Sequence, residues 1–135
     1  MDTEIELKFL VSDDVIPLIP SLITQFAKTV TNKPSKSLQN AYFDTPSREL
    51  RALDIGFRTR CTDERCEQTI KLAGDVVGGL HQRPEYNLPI ETHRPNLMAF
   101  DSSIWPHGMQ IDVISQNLYP IFSTNFIRRT WLIET

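Results

Sequence analysis

Glu4, Ile5, Glu6, Leu7, Lys8 and Phe9 alternate polar and apolar without a break. This is the period of a strand with one buried face. The spacing then changes. Val15, Leu18, Ile19, Leu22 and Phe26 recur at helical intervals behind the capping candidates Ser12 and Asp13, which predicts an amphipathic helix. Pro17 suits its first turn, and Pro20 implies a kink or restart. Residues 31–37 read as a loop. Strands are predicted over 38–44, 54–62, 66–73, 80–89 and 119–134. A short helical turn starts at Thr45-Pro46-Ser47 and carries Arg48, Leu50 and Leu53. The Gly-containing run 74–79 reads as a flexible link, and 94–116 as mixed, with short helices around Leu97 and Ile114.

The faces of these strands share a rule. Arg58 and Arg60 oppose Phe57 and Thr59. Glu67, Thr69 and Lys71 oppose Ile70 and Leu72. His81, Arg83, Glu85 and Asn87 oppose Leu80, Tyr86 and Leu88. Thr124 and Arg128 oppose Ile127 and Trp131. The economical arrangement buries the apolar faces under helices and turns the charged rows into the concavity of a curved antiparallel sheet. Lys8, Arg58, Arg60, Lys71, Arg83 and Arg128 gathered there require counter-charge, because desolvated cations are costly alone. A polyanion with a metal supplies it. Arginine forks match phosphate oxygens, and lysines act as point charges. On the first strand Glu4 and Glu6 lie roughly 6.6 Å apart on one face, a spacing at which two carboxylates hold a hard cation such as Mg²⁺ or Mn²⁺.

Composition narrows the picture. The chain has 135 residues, 40% hydrophobic and 23% charged, with formal net charge -3. One globular domain is expected, and no global nucleic-acid footprint. No run reaches the roughly 18 apolar residues of a membrane span. The acidic start Met1-Asp2-Thr3-Glu4 has no signal-peptide h-region, and there is no Asn-x-Ser/Thr sequon, so the cytoplasm is the expected location. Cys61 and Cys66 flank a turn at 62–65 without forming CxxC, and no His stands beside them at zinc-ligand spacing. In a cytosolic chain they read as unrelated thiols. His81 reads as a lining or hydrogen-bonding group, His93 and His107 as solvated, and Trp105 and Trp131 as packing residues. No P-loop, GxGxxG, Ser-centred elbow or HExxH is present.

Taken in order, Glu4-x-Glu6-x-Lys8, Tyr42-Phe43-Asp44-Thr45-Pro46, Gly56-Phe57-Arg58-Thr59-Arg60, Thr69-Ile70-Lys71, the segment 78–87 and Phe122-Ser123-Thr124-x-Phe126-x-Arg128 resemble the CYTH superfamily, the triphosphate tunnel metalloenzymes. The last two segments look closest to its bacterial inorganic triphosphatase branch, in which a helical phosphate-binding CHAD domain commonly follows. The resemblance implies an α+β fold, an antiparallel β-barrel or tunnel with helices packed outside. It implies metal-dependent hydrolysis of tripolyphosphate to pyrophosphate and phosphate. Lys8, Arg58, Arg60, Lys71, Arg83 and Arg128 would bind the triphosphate, Glu4 and Glu6 the Mg²⁺ or Mn²⁺, and Glu85 would be an acidic lining group; Glu4, Glu6 and Lys8 form the catalytic set.

Family tunnels close with about eight strands, whereas this chain reaches about six. The expectation is therefore a single CYTH-like domain over 1–135 in its N-terminal portion, with an incomplete tunnel. Its open edges invite pairing into a homodimer. Adenylate cyclase and thiamine triphosphatase of the same superfamily, and a non-catalytic polyphosphate-binding module, are the competing functions. An RNA triphosphatase would need a basic RNA track that the acidic chain does not offer.

Overall fold

The computed structural model describes residues 2–135; the side chains of Asp2, Val76, Val77 and His81 lie outside that description, and with them the expectation for His81. Strand β1 (Asp2–Leu7) is followed by a 3₁₀ turn (Ile16–Leu18) and helix α1 (Ile19–Phe26). Next come β2 (Thr29–Asp44), α2 (Glu49–Ala52), β3 (Gly56–Cys61), β4 (Cys66–Lys71), the short β5 (Asp75–Val77) and β6 (Leu80–Ile90). Two 3₁₀ turns (Leu97–Ala99 and Ser102–Ile104) and α3 (Ile111–Gln116) lead into β7 (Tyr119–Glu134). The strands form one antiparallel sheet in the order β1-β6-β4-β3-β2-β7, with β5 paired to β6.

The core lies on one face only. Phe43, Leu50, Ile55, Phe57, Ile70, Leu97, Phe100 and Ile114 are buried together, so the sheet packs against α2, α3 and the two later 3₁₀ turns. Phe57 sits between Phe43 at 5.9 Å and Phe100 at 6.2 Å, ring to ring. Trp105 meets Phe100 edge-on, the packing role expected of it. Alternation within β3 then has a fixed consequence. With Phe57, Thr59 and Cys61 buried in this core, Arg58 and Arg60 must project from the opposite face.

Three expectations need correction. The segment 31–37, read as a loop, belongs to β2. Its 16 residues pair with β7 along nearly their whole length through register shifts at Lys33/Lys36 and Tyr42/Phe43. Local polarity hid a ribbon that takes its order from its partner strand. The glycine-containing link at 74–79 includes β5, because a turn at Gly78 and Gly79, both with positive φ, folds Asp75–Val77 back onto β6. The apolar faces of β1 and α1 are not buried. Ile5 is 61% exposed, Leu7 57%, Phe9 80% and Phe26 79%, since no element among the described residues covers them. β1 and β7 form the two edges of the sheet, which is not closed.

Gly74 marks a close approach ahead of β5. A Cβ there would stand 2.1 Å from the Gln82 carbonyl oxygen and 2.8 Å from the Arg83 Cα. The clash is with backbone and cannot be relieved by a rotamer change. Gly74→Ala is expected to cost about 2–3 kcal/mol, read as a lower midpoint in urea unfolding. An unchanged midpoint would show that β5 shifts freely. No helix among the described residues is long and apolar enough to cross a membrane.

Candidate active site

Strand register sets out the polar face row by row. Tyr42, Arg58, Thr69 and Asn87 are successive partners across β2, β3, β4 and β6. Asn40, Arg60 and Glu67 form the next row, and Gly56, Lys71 and Glu85 the row on the other side. Glu4 pairs in register with Arg83, and Arg128 with Lys36. The sheet curves so that side chains from both edge strands line one cavity of about 530 Å³. Glu4, Glu6, Lys8, Arg58, Arg60, Lys71, Arg83, Glu85 and Arg128 all line it, joined by Tyr42, Gly56, Phe57, Thr69 and Phe126. The structure thus brings the nine candidate binding, metal and lining residues of the sequence to one cavity. Six cations against three carboxylates leave three net positive charges in the cavity.

These cations are not equivalent. Lys71 Nζ pairs with Glu4 Oε2 at 2.5 Å, and Lys8 Nζ with Glu6 Oε1 at 3.0 Å. Arg83 is bound into the backbone. Its Nε donates to Leu72 O at 2.7 Å, and its Nη2 donates to Asp54 O at 2.7 Å and Lys71 O at 3.2 Å. The Asp54 carboxylate lies 3.8 Å away. Arg83 therefore ties the ends of β4 and β6 to the entry of β3, a role the alternation pattern did not reveal.

Arg58, Arg60 and Arg128 have no carboxylate partner among the described ion pairs. Arg60 Nε donates to the buried Asn40 Oδ1 at 2.6 Å, and Arg128 lies 5.7 Å above the Phe126 ring. Among the described residues the buried Arg58 Nε has no hydrogen-bond partner, and neither does the buried Thr124 Oγ1. Burial, and then the neighbouring charges of Arg58 and Arg128, push the Arg60 guanidinium down to about 10. It remains protonated at neutral pH, so the free fold carries the cost of that charge below about pH 10. An anion in the cavity would relieve it.

Glu85 Oε1 accepts from Asn87 Nδ2 at 3.1 Å, and Asn87 Oδ1 accepts from Thr69 Oγ1 at 2.6 Å. Among the described residues no three carboxylate oxygens converge closely enough to form a ready-made cation cage. Glu4 and Glu6 still supply a hard-oxygen pair in a cavity with neither imidazole nor thiolate among its described lining residues. That donor set fits a cation which takes its other ligands from water and phosphate.

Sequence reasoning missed an adjoining cavity of about 630 Å³, which shares Arg60 and Arg128 and adds Lys33, Lys36 and Arg65. Lys33 and Lys36 stand on the polar, loop-like stretch of β2. It also missed Asp44, whose buried carboxylate accepts from the backbone N–H groups of Thr45, Leu50 and Arg51 at 2.8, 2.9 and 3.1 Å. The Asp-Thr-Pro sequence carried the signal, since a carboxylate before a helical turn is a capping group.

The profile of the CYTH domain matches residues 2–135. The chain belongs to the CYTH family. It is 37% identical over 131 residues to an inorganic triphosphatase of Haemophilus influenzae, a match that covers 97% of this chain and 36% of that protein. The CYTH fold is also seen in a Hippeastrum protein examined as a candidate adenylyl cyclase and described as having a dominant triphosphatase activity. That likeness has a TM-score of 0.62 at 18% identity, covering 89% of this chain and 62% of the other. A candidate adenylate cyclase from Vibrio parahaemolyticus aligns with a TM-score of 0.56 at 11% identity, over 98% and 62% of the two chains. This CYTH chain thus spans about a third of its triphosphatase relative and less than two thirds of these structures.

Proposed function

We propose that the concave face binds inorganic tripolyphosphate and hydrolyses it to pyrophosphate and phosphate with Mg²⁺ or Mn²⁺. The observation that carries this reading is the set of three arginines, Arg58, Arg60 and Arg128, which face one cavity without carboxylate partners among the described residues, while a buried donor of Arg58 finds no partner among them. Such a set is costly in the free protein, and a linear polyanion satisfies it. The three net positive charges complement a ligand with roughly four to five negative charges, a divalent cation offsetting the remainder.

Glu4 and Glu6 hold the cation in this reading. When bound, it neutralises charge on the phosphoryl oxygens and orients the attacking water. Arg58, Arg60 and Arg128 grip phosphate oxygens and stabilise the charge that spreads over the transferred phosphoryl. Lys8 and Lys71 exchange their carboxylate partners for phosphate as Glu4 and Glu6 turn to the metal. Glu85, steadied by Asn87, balances the basic groups. Arg83 shapes the wall, and its remaining donors face the ligand.

Tripolyphosphate at 100 times its Kd is expected to stabilise the fold by about 2.7 kcal/mol. This should appear as a rise in Tm of about 8 °C. Calorimetric titration against tripolyphosphate, ATP and thiamine triphosphate tests the substrate class, with tripolyphosphate expected to bind most tightly. Preference for either organic triphosphate would move the reading to a cyclase or a thiamine triphosphatase.

A further inference from the structure

The structure overturns the reading of Cys61 and Cys66 as unrelated thiols. They are direct register partners at the turn end of the β3–β4 hairpin and are joined as a disulfide. His93 is exposed, as expected, and its Nδ1 also lies 3.2 Å from Cys61 Sγ. The sulfurs and the imidazole nitrogen all lie within 4.8 Å of one another. No sequence spacing announced this cluster, because His93 arrives from the loop after β6.

That loop is held in place. Buried Gln68 donates its Nε2 to Asn96 O at 2.9 Å, and its Oε1 accepts from Asn96 N at 2.8 Å. Arg94 N donates to Thr92 Oγ1 at 3.2 Å. His93 is therefore presented to the hairpin by a fixed backbone. Neither cysteine lines the cavity that holds Glu4 and Glu6, and Cys66 borders the adjoining cavity that shares Arg60 and Arg128 with it.

The geometry points to a second metal site of soft character. With the disulfide reduced, Cys61 and Cys66 as thiolates and His93 through Nδ1 bind one Zn²⁺, leaving a fourth position to water. In a tetrahedral zinc site two thiolate sulfurs stand about 3.8 Å apart, and sulfur and nitrogen about 3.6 Å. The 3.2 Å His93–Cys61 spacing is already close to that value. Sulfurs on facing Cα atoms 4.1 Å apart reach the other by rotation about Cα–Cβ. Thiolate and imidazole donors select a borderline-soft ion, whereas Glu4 and Glu6 select a hard one, so the two sites take different metals. Disulfide and metal are alternative states of one hairpin clasp. A phosphine reductant and one water convert the disulfide to two thiols and a phosphine oxide, and the metal then displaces two thiol protons.

The test uses Co²⁺ as a spectroscopic probe on the whole chain, before and after phosphine reduction. The expected result is a thiolate-to-cobalt charge-transfer band in the near ultraviolet. It should appear only after reduction, saturate at one equivalent, disappear in Cys66→Ser and be displaced by Zn²⁺. His93→Ala should weaken Co²⁺ binding by about 100-fold. Because either cysteine variant could fold poorly, the wild-type chain is also alkylated with N-ethylmaleimide after reduction, and Zn²⁺ is expected to protect both thiols. Absence of the band, its persistence in folded Cys66→Ser, a disulfide that resists reduction in the folded chain, or equal alkylation with and without Zn²⁺ would each overturn the proposal.

Discussion

Arg58→Ala is expected to weaken tripolyphosphate binding by roughly 30- to 150-fold, the loss of about 2–3 kcal/mol of charge-assisted hydrogen bonding. The fold should hardly notice. In the free protein the Arg58 Nε has no partner, and no carboxylate pairs with the guanidinium among the described residues. Removing it discards an uncompensated charge rather than a structural bond. Arg58→Lys should recover only part of the affinity, because an ammonium supplies charge without the planar fork. Arg83→Ala makes the contrast, since its three hydrogen bonds to backbone carbonyls join β3, β4 and β6. Its loss should lower Tm as well as affinity. Calorimetric Kd and thermal melting on the two variants separate the roles. A large fall in Tm for Arg58→Ala, with affinity unchanged, would make Arg58 a structural residue.

Asp44→Ala is expected to destabilise the chain by about 3–5 kcal/mol. The carboxylate is buried and accepts three backbone N–H bonds, and hydrogen bonds to a charged acceptor are each worth about 1.5–3 kcal/mol before relaxation is allowed for. Removing it leaves the buried N–H groups of Thr45 and Leu50 without that acceptor. Arg48, at φ 59, already holds the turn into α2 in the left-handed region, so little local conformational preference remains to keep the turn closed. Leu50 follows directly and is a fully buried core residue. The damage should therefore spread to Phe43 and Phe57 and, through the Tyr42–Arg58 register, to the cavity. Asp44→Asn keeps one carbonyl acceptor and should lose about half as much. Urea unfolding of both variants checks the order. An Asp44→Ala protein as stable as wild type would mean that the turn is held by packing alone.

Which parts of this molecule were legible in advance follows from the range of each physical signal. Strand alternation is local, and it placed Arg58, Arg60, Lys71, Glu85 and Arg128 on the same side as Glu4 and Glu6 before any fold was known. That was enough to assemble the cavity, because an antiparallel sheet carries facing sides into one surface. What was lost depended on partners distant in sequence. Residues 31–37 are polar and loop-like until β7 pairs with them. β5 forms only because Gly78 and Gly79 let the chain turn back. Arg83 alternates like its neighbours, yet its donors turn to carbonyls that the topology brings near. His93 stands 32 positions from Cys61 and meets it only after β6 has crossed the sheet. The amphipathic pattern of β1 and α1 was read correctly as a pattern. Burial needs a second surface, and the described residues do not provide one.

The most direct measurement is phosphate release from tripolyphosphate, with Mn²⁺ or Mg²⁺ and with chelator, by this chain and by Glu6→Ala. A triphosphatase site predicts release that requires the metal and falls by about 100-fold or more in Glu6→Ala. Tripolyphosphate that binds at the cavity but is never cleaved, by either protein and with either metal, would contradict it and leave a polyphosphate-binding module in its place.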